Sequence, residues 1–153
     1  MEENLKINTI TNVQLYEYAL GNSLGKVSFR ANTADFNIGK GCVDPEGGLS
    51  VSITTIDHEF GDIELPVSMI KIDTEGHEIE VLKGAAGLLK KHRPAIEMEF
   101  NFRSCSLLEL KHHIPPRYAY FELPKRPNQR LRLVQGELPY CCELLIVPDE
   151  KLA

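Results

Sequence analysis

The central segment of the chain is Ser68-Met69-Ile70-Lys71-Ile72-Asp73-Thr74-Glu75-Gly76-His77-Glu78. Its first half is apolar, short and bounded by Pro66, which predicts a buried strand of a mainly parallel sheet. From Glu78 onward apolar residues recur at helical spacing until Pro94, which predicts one helix. The turn between strand and helix should therefore lie at the carboxyl edge of a sheet, where open α/β sheets bind their ligands.

Three acidic residues occupy this turn, namely Asp73, Glu75 and Glu78. Acids near a helix N-terminus stabilise it by about 0.3–1 kcal/mol each, so helix capping is one explanation. Capping does not explain why Asp73 ends an apolar strand. We therefore favour a functional site over capping alone.

The same region resembles the core signature of the FkbM-type methyltransferases. The resemblance extends over residues 70–85, 88–91 and 93–99, in that order, and begins with Ile-Lys-Ile-Asp-Thr-Glu-Gly-His-Glu. Members of this family are S-adenosylmethionine (SAM)-dependent enzymes of the Rossmann-like class, mostly O-methyltransferases. The resemblance implies methyl transfer from the SAM sulfonium to a hydroxyl of a small molecule or glycan.

The resemblance also implies an α/β fold, with a Rossmann-like, mainly parallel sheet that ends in an antiparallel C-terminal strand. Residues 1–153 would form one domain that corresponds to the later part of the family domain. The first two strands and the Gly-rich loop of the family are lacking, and those strands would lie between the predicted strands 13–19 and 70–73. Two sheet edges would then be unpaired. The strand 13–19 would have to dock elsewhere, be covered by a partner chain, or be loosely held.

For the site, the resemblance points to Asp73 for cofactor or substrate contact, and to the turn around Ala19 and Leu20 for the adenine edge. With half of the family's SAM site lacking, the cofactor site would be incomplete. Asp73, Glu75 or Glu99 could remove the hydroxyl proton, or could hold Mg²⁺ or Ca²⁺ that acidifies it; we prefer a base without metal. Glu78 is expected to orient the turn.

The strand Ala95–Phe100 supplies Glu99. Glu97 and Glu99 share one face of this strand, and burying an unpaired carboxylate is costly, so each must be solvated or used. Glu99 lies near the carboxyl end and falls where the family has a recurring acid. Glu97 has no such support and is interpreted as a surface residue.

The other segments give weaker signals. Helices are predicted over 2–10 and 104–113, strands over 13–19, 26–30, 49–56, 118–121 and 141–147, and loops over 31–48 and 57–66. The last two strands should form an antiparallel hairpin. Gly39-Lys40-Gly41-Cys42 lacks the spacing of a phosphate-binding loop and carries little weight.

Composition narrows the function classes. The net charge of −5 does not favour nucleic-acid binding, and the basic residues between Arg117 and Arg132 are interpreted as a solvated hairpin. The four cysteines form no Cys-x-x-Cys pair, so a zinc or redox motif is not indicated. The sequence shows no signal peptide and no apolar run of membrane length, and we expect a cytoplasmic protein.

Two alternatives to an active methyltransferase are kept open. One is a truncated, catalytically inactive methyltransferase-like module. The other, weaker one is a fragment of a phosphodiesterase barrel, because Lys71-Ile72-Asp73 recurs on such strands. A barrel of about 250 residues is too long for this chain.

Overall fold

The computed structural model describes residues 1–30, 41–126 and 128–152. The helices are α1 (Glu2–Ile7), α2 (Ile56–Phe60), α3 (Glu78–Lys83), α4 (Ala86–His92) and α5 (Leu107–His112), with a 3-10 helix over Asp149–Lys151. The strands are β1 (Ala19–Leu20), β2 (Gly25–Arg30), β3 (Cys42–Val43), β4 (Leu49–Thr54), β5 (Met69–Ile72), β6 (Ala95–Phe100), β7 (Tyr118–Glu122), β8 (Arg132–Leu133) and β9 (Cys142–Pro148).

The described strands form two separate sheets. The four-stranded sheet has the order β1-β4-β2-β3, and the five-stranded sheet has the order β5-β6-β9-β7-β8. Pairing is parallel between β1 and β4 and between β5 and β6, and antiparallel at the other interfaces. The predicted antiparallel ending of the sheet is confirmed by β9, but the sheets are mixed, so the expectation of a mainly parallel sheet is wrong.

One face of the five-stranded sheet carries the hydrophobic core. Alternate residues of β6 and β9 are buried, and they join a single cluster with apolar residues of α3, α4 and α5. The members of this cluster that are fully shielded from solvent are Leu82, Ala85, Leu89, Ile96, Leu110, Leu144 and Ile146. Helices on one face of a sheet fix the positions of the strand ends, and thereby the position of the central turn.

The expectation that the central strand is buried is wrong in part. β5 lies at the edge of its sheet, where β6 is its one neighbour among the described strands. Ile72 is buried, but Met69 is 50% exposed. An apolar run alone does not distinguish an edge strand from a central one, because the difference lies in what pairs with it.

The predicted single helix after the turn is interrupted. Gly84 ends α3, and a Cβ atom at this position would lie 1.9 Å from the carbonyl oxygen of Gly21. α4 then starts anew, because the Asp57 carboxylate accepts hydrogen bonds from the amides of Gly87 and Leu88, both at 2.8 Å. The break thus comes from contacts with distant parts of the chain.

Three further expectations change. The strand predicted over 13–19 is reduced to Ala19–Leu20, which docks on β4 in parallel. The end of the predicted strand 49–56 and the start of the predicted connector 57–66 form α2, whose N-cap Thr55 accepts a hydrogen bond from the amide of His58. The predicted loop over 31–48 contains β3. Its part at 31–40, which includes Gly39 and Lys40 of the Gly39–Cys42 segment, lies outside the described residues.

Candidate functional site

The central turn is held by Glu78. This side chain is 6% exposed, and its Oε1 accepts hydrogen bonds from the Thr74 amide at 3.2 Å, the Thr74 hydroxyl at 3.1 Å and the Gly76 amide at 2.9 Å. A carboxylate that accepts several backbone N–H groups stabilises a tight turn strongly. The predicted role of Glu78 in orienting the turn is confirmed.

The turn directs two other acids outward. Glu75 has a φ of 51° and Gly76 a φ of 101°, so the backbone passes through the left-handed region twice in succession. Asp73 and Glu75 are both exposed as a result. Backbone held in this rarely populated region is common at functional sites.

Glu99 lies beside this turn, near the carboxyl end of β6. Its partner across the ladder to β9 is Glu143, so two carboxylates face each other on neighbouring strands. Burial, together with the nearby charges of Glu75, Glu78, Glu143 and Asp73, raises the pKa of Glu99 above its ordinary value. The structure therefore brings three predicted acids, Asp73, Glu75 and Glu99, to one edge of the sheet.

A small cleft adjoins this edge. It has a volume of 160 Å³ and is lined by the turn, the end of β6 and the segment that leads into α5, including Glu78, Glu99 and Asn101. Among the residues that the structure describes, no group of three or more His, Cys, Asp or Glu side chains is placed to hold a metal ion.

The end of β1 also approaches the turn. A Cβ atom on Gly21 would lie 3.0 Å from Nε2 of His77, the residue that precedes α3. Leu20, one of the two residues predicted to contact the adenine, lines an apolar cleft of 290 Å³ together with Ile56, Met69 and Ile70. Ala19 pairs with Ile53 of β4 and is half-buried.

Two features of the site were missed at the sequence level. The first feature is Glu143, on the antiparallel strand β9. Because Glu143 alternates with the buried residues Cys142 and Leu144, the sequence pattern could have indicated that it lies on the opposite face of the strand from them. That Glu143 lies opposite Glu99 follows from the register between β6 and β9, which the sequence does not show. The second feature is the position of His77 beside Gly21, which arises from the docking of β1 onto β4.

The fold and the site define an α/β protein with an acidic carboxyl edge on its five-stranded sheet. Residues 2–119 match the sequence profile of the Methyltransferase FkbM domain. The chain therefore belongs to the FkbM methyltransferase family, as its signature predicted.

A curated relative supports the same assignment. Over 75 residues the chain is 36% identical to the Hexuronic acid methyltransferase AglP of Haloferax volcanii, a segment that covers 48% of this chain and 30% of that protein. No solved structure matches the chain. In the described part of the chain, every helix is too short or too polar to cross a membrane.

Proposed function

We propose that this chain carries part of the active site of a SAM-dependent O-methyltransferase that acts on a hydroxyl of an acidic sugar. The observation that carries the proposal is the meeting of Asp73, Glu75 and Glu99 at one sheet edge, where the pKa of Glu99 is raised. Membership of the FkbM methyltransferase family supports the reaction class. The acidic sugar is suggested by the relative's name, hexuronic acid methyltransferase.

The residues present suit part of a SAM molecule. The apolar cleft around Leu20 and Ile70 offers walls for an adenine ring. The carboxylates of Asp73 and Glu75, which follow the carboxyl end of β5, are acceptors for ribose hydroxyls. Their negative charge also suits a sulfonium. SAM, when bound, supplies an electrophilic methyl group.

Glu99 is the residue best suited to act as the general base. A base works best when its pKa lies near the working pH, and burial among four other acids moves the pKa of Glu99 in that direction. Glu78 accepts three hydrogen bonds within the turn, so it positions its neighbours. Glu99 then removes the proton of the substrate hydroxyl. Asp73 is assigned to cofactor or substrate contact, and Glu75 remains the alternative base.

The order β5-β6-β9-β7 supports a further assignment, in which these strands are the later half of a Rossmann-like sheet and residues 1–153 belong to one domain. β1 and β5 each have one neighbour among the described strands, as expected if two strands and a Gly-rich loop of the family are lacking between them. A partner chain that covers these edges would complete the sheet.

All four cysteines are free thiols, which favours the cytoplasm as the location of the protein.

Calorimetric titration of SAM into the full chain tests the proposal. We expect saturable binding that Asp73→Asn weakens at least tenfold, because the substitution removes one acceptor charge from the site. Asp62→Asn, which neutralises an exposed acid of the connector, is the matched control and should leave the affinity unchanged.

The same titration decides between an enzyme and an inactive methyltransferase-like module. The open edge of β5 favours the module, because it leaves the apolar cleft without a cover on that side. A cooperatively folded sample that gives no binding heat would contradict the proposal and support the module.

A further inference from the structure

A second, larger cleft lies beside β7 and β8, on the side of the same sheet opposite β5. It has a volume of 750 Å³ and lies between the end of β7 and the start of β8. We call it the basic cleft, because its lining includes Lys125, Arg126, Arg130 and Arg132 together with Glu122 and Tyr140. Its volume falls in the usual range for ligand sites, about 300–1,000 Å³.

One cation of the basic cleft is already neutralised. Arg132 forms an ion pair with Glu122, and the Tyr140 hydroxyl donates to the same Glu122 oxygen at 3.0 Å. Arg132 also contacts Tyr140 directly. This network fixes the wall of the cleft by joining β7, β8 and the segment that leads into β9.

The other three cations are not neutralised in this way. Lys125, Arg126 and Arg130 are exposed, and within the described ranges none of them has a carboxylate within ion-pair distance. Lys125 donates a hydrogen bond to the carbonyl oxygen of Cys141 at 3.5 Å. Three adjacent cations create a local positive potential on a chain whose net charge is −5.

The topology places the basic cleft at the same edge as the acidic turn. β6 and β7 are both antiparallel to β9, so their carboxyl ends lie at one edge: Phe100 pairs with Cys142, and Glu122 pairs with Leu144. β5 is parallel to β6 and ends at this edge too. β5 and β7 are three strand spacings apart, a distance of about 14 Å.

We propose that the basic cleft binds the anionic group of the sugar acceptor. Lys125, Arg126 and Arg130 hold a carboxylate or phosphate of the sugar, and the rest of the sugar extends along the edge toward Glu99. Arginine suits this role because its planar guanidinium donates two parallel hydrogen bonds to such a group. The cations also offset the repulsion that the acids at the edge exert on an anionic ligand. The inference rests on the proposed function and adds to it the place where the acceptor is recognised.

Chemical-shift titration of the isotope-labelled full chain tests this inference without requiring methyl transfer. Glucuronate, glucose 1-phosphate and neutral glucose are added to separate samples. We expect saturable shifts of the backbone amides of residues 122–123, 125–126 and 128–132 with the anionic sugars, and none with glucose. The tighter anionic sugar identifies carboxylate or phosphate as the natural group.

The variant Arg126→Gln/Arg130→Gln should weaken that binding tenfold or more. The control Lys6→Gln/Lys26→Gln removes the same charge from α1 and β2 and should leave the affinity unchanged. Equal binding of glucose, or equal weakening by the control, would overturn the inference. SAM titrated into the same samples separates the two proposals: anionic sugar binding without SAM binding contradicts the proposed function alone, and the reverse result contradicts the basic cleft alone.

Discussion

At the scale of single residues, the burial of the Glu99 carboxylate among other acids has a cost in stability. Burial and the surrounding acids raise its folded-state pKa, so the native state holds the proton to higher pH than the unfolded chain does. Below the unfolded pKa of about 4.3 both states are protonated, and the residue has no pH-dependent effect. As the pH rises through the interval up to the folded pKa, the free energy of unfolding falls.

Glu99→Gln should therefore make the chain more stable at pH 7, because the amide carries no charge to bury. The gain should disappear near pH 3, where Glu99 is protonated in both states. Urea unfolding at both pH values measures it, with the exposed Glu64→Gln as the control for loss of one negative charge. A variant that is equally or less stable at pH 7 would argue against a costly carboxylate at this position. Under the proposed function the same variant should lose methyl transfer, since it lacks the base.

At the scale of elements, the junction between α3 and α4 ties the two sheets together. Gly84 packs its Cα against the carbonyl of Gly21 at the end of β1, and its own carbonyl accepts from the amide of Asp57 at 2.8 Å. Asp57 in turn caps α4. The site depends on this junction, because α3 begins at the acidic turn.

Gly84→Ala should destabilise the chain by about 2–3 kcal/mol, because the added methyl group overlaps backbone that has little room to move. Helix propensity alone would give the opposite sign, a gain of up to about 1 kcal/mol. The urea midpoint and slope measure the change. Gly136→Ala, where an added Cβ meets no atom within 4 Å, should change the stability by less than about 0.5 kcal/mol. If Gly84→Ala left the stability unchanged, α3 and α4 would not be held against β1.

The sequence predicted elements whose signals are local and missed those set by distant contacts. The strand ending at Ile72, the turn organised by Glu78 and the alternation of β6 all follow from neighbouring residues. The helix break at Gly84 depends on Gly21 and Asp57, and the Glu99–Glu143 pair depends on the register of β9. For the same reason the acids of the turn were predicted together, whereas the basic cleft was interpreted as a solvated hairpin.

At the scale of the whole molecule, the open edge of β5 is a surface on which another strand can pair. Its residues Met69–Ile72 have one paired neighbour among the described strands, and the apolar cleft lies beside them. An exposed, partly apolar edge strand without proline is a template for further pairing. Identical edges can pair across a two-fold axis, so a second copy of this chain is the partner we expect when no other strand is supplied.

Sedimentation velocity should accordingly show dimers whose share grows with protein concentration. Met69→Lys should reduce that share, because a charge on an edge strand opposes pairing and the half-exposed side chain can reach solvent. Leu108→Lys, at a 60% exposed apolar position on α5, is the matched control and should associate like the parent chain. If the parent chain stays monomeric at all concentrations, or if both variants reduce association equally, then the β5 edge is not the surface that pairs.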